Sequence, residues 1–168
     1  MAGAAATPTA PPCSYPAPPP TQGAPDPYVG SVWAIGDAPY CRIDRSRLPA
    51  DYLDYVGISP NASGDGYWLA TAGGRVVPAG NARNFGSMGG VGLNAPVVGV
   101  AATPSGGGYW LVASDGGVFT FGDARFTGAV PTFEQGDDIV GVAARGTTTG
   151  LWLMLNPQPP GGCQHICT

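Results

Sequence analysis

Few side chains in this chain could carry chemistry, and most of them lie near its ends. His165 is the only histidine and stands between Cys163 and Cys167, while Cys13 and Cys41 lie far upstream. Thiolate and imidazole are zinc ligands, and structural zinc takes four of them. The run Cys163-Gln164-His165-Ile166-Cys167 has the right ligand types, yet its spacing is no familiar zinc pattern and the set would have to be completed from elsewhere. Disulfide pairing is the favoured reading, and four cysteines allow three connectivities. A bridge across the short Cys163–Cys167 loop adds little loop entropy, so at least one bond from the tail to Cys13 or Cys41 is expected. No metal and no cofactor is expected.

Catalysis fares no better. A Ser-His-Asp triad would have to recruit His165 from the cysteine-bearing tail, and Glu134 is the only glutamate. There is no GxSxG elbow and no P-loop; Gly86, Gly89, Gly90 and Gly92 lack the strand-to-helix setting of a nucleotide site. Two aspartates could serve as an acid/base pair on a glycosidic bond. Asp37, Asn81 and Asp123, however, share one recurring turn motif, where a side chain bonding its own backbone is the ordinary explanation. No catalytic residue is assigned. Trp33, Tyr67, Trp68, Tyr109 and Trp110 are candidate binding aromatics, able to stack on sugar rings if they face outward. Their recurrence in one phase favours a core role instead.

That phase is the strongest signal in the chain. Tyr67-Trp68-Leu69 returns as Tyr109-Trp110-Leu111 and Leu151-Trp152-Leu153, each 42 residues after the last. Val56-Gly57-Ile58 returns as Val98-Gly99-Val100 and Val140-Gly141-Val142 at the same interval. A fixed period of this size marks a repeat architecture, and four short strands in such a unit make a propeller blade. In the middle unit the strands are expected at Pro96 to Thr103, Tyr109 to Ser114, Val118 to Phe121 and Arg125 to Val130. Asp115-Gly116 reads as a two-residue type I′ hairpin turn. Pro78 weakens the third strand of its unit. Only Arg47 to Tyr55 has the makings of a short helix.

Residues 29–47 contain the second half of a unit, with Trp33 and Ile35 in the places of Phe119 and Phe121, and residues 139–155 contain a first half. The two halves are expected to pair and close the ring, hiding edge strands. The fold is therefore all-β, with three pseudo-symmetric four-stranded units in a propeller-like closed ring and a β-trefoil as the alternative. Propellers have typically 4 to 8 blades, so either two or more chains share a ring or the closure is three-fold.

Composition bounds the rest. Nine prolines between Pro8 and Pro27 make residues 1–27 an extended arm, with Tyr15 and Tyr28 as apolar anchors in or beside it and Cys13 able to lock it. Residues 28–155 form the β-domain and residues 156–168 a Gly/Pro/Cys tail. With Lys+Arg 7 against Asp+Glu 11 the chain has no basic stripe for nucleic acid. No apolar run approaches a membrane span. The N-terminus has no basic region or apolar stretch of a secretory signal. Cysteines imply an oxidising destination, and a virion protein released by lysis reconciles the two, as does a chain whose signal was trimmed.

The run Val97 to Gly128, VVGVAATPSGGGYWLVASDGGVFTFGDARFTG, resembles a tandem repeat of secreted and surface proteins of actinobacteria and their phages. The likeness covers residues 56–155 well and 29–47 partially. All seven basic residues being arginine agrees with a GC-rich coding sequence. The resemblance implies a propeller-like interaction module and transfers no catalytic residue. The expected function is a non-enzymatic structural or attachment component of an actinobacteriophage virion, bound to other virion proteins or to copies of itself. The alternative is a secreted or cell-surface module that binds host envelope glycans or proteins.

Overall fold

The computed structural model describes Val32 and residues 54–129, 138–146 and 150–156. Strands β1 (Tyr55–Pro60), β2 (Gly66–Thr71) and β3 (Val76–Gly80) form one antiparallel sheet in that order. Strands β4 (Val97–Ala102), β5 (Gly108–Ala113) and β6 (Val118–Gly122) form a second, and β7 (Asp138–Ala144) pairs with β8 (Leu151–Asn156) in a third. The described residues are all-β, with no helix among them. Tyr55, placed by its sequence at the end of a candidate helix, opens β1 instead; residues 47–53 lie outside the described residues.

Each hairpin follows from its glycines. Gly74 (φ 77) and Gly116 (φ 86) occupy the left-handed region that side chains resist. Each closes a tight turn by donating to Thr71 and Ala113, while Thr71 and Ala113 in turn donate to Arg75 and Gly117. The loop is thus three residues long with glycine in its last place, not the two-residue type I′ turn expected for Asp115-Gly116. Pro78 sits opposite Trp68 on β3, an edge strand, where a missing N–H costs the sheet little.

The middle strands carry the core. All six residues of β2 and all six of β5 are buried, which explains their unbroken apolar and small-residue runs. Trp68, Ala70 and Val76 on one face of the first sheet join Val100, Tyr109 and Leu111 of the second in a single cluster. Strands β1, β4 and β7 pack side by side, so the three sheets follow one another as layers. Val97 N–H donates to the Ala72 carbonyl at 2.9 Å, and Ile139 N–H, 42 residues on, donates to the Ser114 carbonyl at 3.0 Å. The same bond therefore hands each sheet to the next.

One expectation fails. Residues 125–129, given as most of a fourth strand, pair with nothing as a strand. Among the described residues each complete unit has three strands, not four. The reason lies in the tryptophans: Trp68 Nε1 donates to the Arg83 carbonyl at 2.7 Å and Trp110 Nε1 to the Arg125 carbonyl at 2.9 Å. The segment after each third strand is hooked down by an indole, and Gly86 and Gly128, both at φ 122, bend it away from an extended ladder. The half-unit of residues 29–47 lies outside the described residues except for Val32, as do the arm of residues 1–27 with Tyr15 and Tyr28 and the tail beyond Asn156.

Candidate functional site

The three first strands share one irregularity. Each bulges at the residue before its repeated glycine, so Val56, Val98 and Val140 drop out of the pairing register. A bulge bends its strand and tightens the local twist. The bare glycines that follow let neighbouring strands close up: a methyl on Gly99 would meet Val142 Cγ1 at 2.7 Å. As a result the ends of β1, β4 and β7 lie abreast and line an open groove of about 390 Å³. Ile58, Val100 and Val142 give it one apolar row and Pro60, Ala102 and Ala144 another. Beyond them, in matching repeat positions, come an amide, a hydroxyl and a guanidinium from Asn61, Thr103 and Arg145. Ile58 is 52% exposed, more open than Val56 at 38%.

Such a surface can hold an extended chain or a sugar chiefly by apolar contact, because Asn61 and Thr103 already bond within the chain. It has no acid/base pair, and no group of three His, Cys, Asp or Glu capable of holding a metal occurs among the described residues. Cys13, Cys41, Cys163, Cys167 and His165 lie outside the described residues.

The candidate binding aromatics are placed elsewhere. Trp68, Tyr109 and Trp110 are 0–1% exposed and Tyr67 is 9% exposed, so none presents a ring to solvent. Trp68 and Tyr109 meet across the sheets with centroids 5.4 Å apart, and Phe85 and Phe121 pack on Tyr109 at 5.8 and 5.5 Å. The Tyr109 hydroxyl donates to the Gly86 carbonyl at 2.5 Å and accepts from Phe85 N–H at 3.2 Å. Burial pushes this phenol up to about 12. These four residues are core, and stacking on a ligand is not open to them as placed. Trp33 lies outside the described residues.

The turn position of Asn81 and Asp123 also has a different use from the one expected. Neither side chain serves its own backbone. Asn81 donates to Asp65, and Asn61 donates to both, tying the β1–β2 hairpin to the end of β3. In the next unit Thr103 and Ser105 donate to Asp123. The carboxylate has changed sides: Asp65 answers to Gly107 and Asn81 to Asp123, and a methyl on Gly107 would lie 2.6 Å from the Asp123 carboxylate. One acid per knot is kept in either arrangement. Hydrogen bonds from Ser63 and then Asn61 hold the Asp65 carboxyl below the usual aspartate range. Asn61 is thus part of a structural knot.

The groove escaped sequence reading because it is built from aliphatic residues 42 apart. The only trace was the phase-locked Val-Gly pairs. Comparison with protein-family models, with curated proteins and with solved structures finds no match.

Proposed function

We propose that this chain is a non-enzymatic structural or attachment component of an actinobacteriophage virion, with the sheets as its body and residues 1–27 as a docking arm. The observation that carries this reading is where the polar and aromatic chemistry is spent. The indoles of Trp68 and Trp110, the phenol of Tyr109 and the carboxylates of Asp65 and Asp123 all tie one segment of the chain to another. A scaffold uses its reactive groups this way, whereas an enzyme leaves some aimed at a substrate. Likeness of Val97 to Gly128 to the actinobacterial and phage repeat supports the setting, and a propeller-like assembly of the sheets fits its unit size. The proline-rich arm loses little entropy on settling against a neighbour, so it suits docking better than spacing.

The groove across β1, β4 and β7 favours a second reading, a secreted or surface module for glycans or peptides. Mass spectrometry of purified particles against culture supernatant separates them. Stoichiometric recovery in particles supports the virion role; recovery in supernatant alone, with binding to host envelope material, replaces it.

A further inference from the structure

Among the described residues the third sheet is one strand short. β2 lies between β1 and β3, and β5 between β4 and β6, but β8 has only β7. The two third strands share a pattern, Val76-Val-Pro-Ala-Gly80 and Val118-Phe-Thr-Phe-Gly122. The segment Val32-Trp33-Ala34-Ile35-Gly36 has the same spacing of valine and glycine.

Val32 fixes where that segment belongs. It packs against Tyr67, Leu69, Val77 and Ala79, a set whose alternation puts it on the face of the first sheet opposite the second. Val76 shares the core with Tyr109 and Leu111, which lie 42 residues after Tyr67 and Leu69. Val32 therefore stands to the first sheet as Val76 stands to the second. In an unbroken series, the strand beside Val32 would be one that carries a tryptophan in the place of Trp68.

β8 carries that tryptophan, Trp152, and within its own chain the ring is left uncovered. With Val32 seated, Trp152 is still 68% exposed and Met154 60%, against 0% for Trp68 and 1% for Trp110. β1 and β7 do not pack on each other as β1 does on β4 and β4 on β7. Among the described residues the row of sheets is open, with Val32 seated at one end and β8 without a third strand at the other.

We infer that β8 of one copy takes residues 32–36 of a second copy as its third strand, head to tail. Trp152 and Met154 are thereby carried to the side of the partner's first sheet where its own Val32 sits. Backbone hydrogen bonds supply affinity in such strand addition, and side-chain pockets supply register. A head-to-tail contact must close into a ring or grow into a filament. Two chains with three sheets each make six, within the range of 4 to 8 that rings of such sheets adopt, whereas three sheets fall short of it. This inference is independent of the virion reading, since it concerns only how copies meet.

Sedimentation velocity on two full-length variants tests it. Ile35→Pro, at the position of Ala79 and so in a hydrogen-bonded pair by the alternation from Thr71–Arg75 and Asp65–Asn81, removes a ladder donor from the incoming strand, whereas proline at Ala34 would only repeat Pro78. Trp152→Glu with Met154→Glu spoils the receiving face. Each variant alone should sediment as a monomer with an unchanged β-type circular dichroism spectrum, its dissociation constant raised at least about tenfold. An equimolar mixture should regain a heterodimer, because one sound strand then meets one sound edge. Should the glutamate pair unfold the chain, Trp152→Ser with Met154→Ser provides the same readout. A wild-type chain that is monomeric at every concentration, closed by its own segment, overturns the inference. So does a dimer that survives both variants, or a mixture that stays monomeric.

Discussion

A methyl group on Gly57 would stand 3.0 Å from the Cα of Gly99, its own counterpart one repeat later. Backbone against backbone cannot yield, so the closeness of β1 to β4 depends on residue 57 being glycine. At the next step the obstacle is a side chain, Val142 Cγ1, 2.7 Å from a methyl on Gly99. Gly57→Ala and Gly99→Ala should each destabilise by about 1–3 kcal/mol through overpacking. Val142→Ala should restore part of the loss in Gly99→Ala and none in Gly57→Ala. Gly92→Ala, which meets nothing within 4 Å, is the neutral control. Chemical denaturation of the three glycine variants and of the two combinations with Val142→Ala checks the order.

The indole hooks predict a different pair. Trp68→Phe and Trp110→Phe keep most of the buried ring but leave the Arg83 or Arg125 carbonyl without its donor. Each should cost about 1–3 kcal/mol, more than the loss of one exposed hydrogen bond. Amide exchange should show faster opening of residues 81–88 in the first variant and 123–129 in the second. Uniform loosening of the whole domain would mean that the hooks do not act locally.

Tyr109 gives the sheets an alkaline limit. Its hydroxyl ionises near 10 in an unfolded chain, while burial raises it to about 12 in the folded one. The folded state thus favours the neutral phenol. This contribution is fully present below pH 10 and is lost as pH rises through the window from about 10 to about 12. Tyr109→Phe should be less stable at pH 7 by about 1–2 kcal/mol, having lost the bonds to Phe85 and Gly86, and should lack this part of the alkaline decline. Melting temperatures of both proteins across pH 8 to roughly 11 provide the check.

The two polar knots make a compensation test. Asn81→Asp places a second carboxylate against Asp65 and should lower the melting temperature at neutral pH, less so in acid. Adding Asp65→Gly recreates the pairing seen at Gly107 and Asp123 and should recover stability. In the wild type the depressed Asp65 carboxyl contributes above its unfolded value near 3.8 and ceases to do so as pH falls through its folded value. A double variant no better than Asn81→Asp would break the correspondence between units.

Much of this was legible in the sequence because the repeat states its markers three times. The strands around Trp68, Trp110 and Trp152 emerge where the β-rich runs between Gly-bearing turns place them. The fourth strand did not emerge, because a stretch such as Arg125-Phe126-Thr127 has strand-like residues whatever its backbone pairs with. Only the indole bond to Arg125 reveals that its carbonyl is already taken. The knots were misread for a related reason. Asx residues after a strand ordinarily cap their own turn, and the partners Asn61 and Ser105 lie about one hairpin away in sequence. The groove left almost no trace, since the aliphatic residues that line it look like core in the sequence, and Val100 is core; only Ile58 at its edge is exposed.

Whether the open row of sheets completes itself between copies is best read from the native mass of the full chain. Native mass spectrometry should give twice the 16.9 kDa of one chain, with no odd-numbered species and no ladder of higher multiples. A closed ring of six sheets admits nothing else. A single 16.9 kDa species under the same gentle conditions would contradict the account, because β8 would then find its third strand within its own chain or not at all.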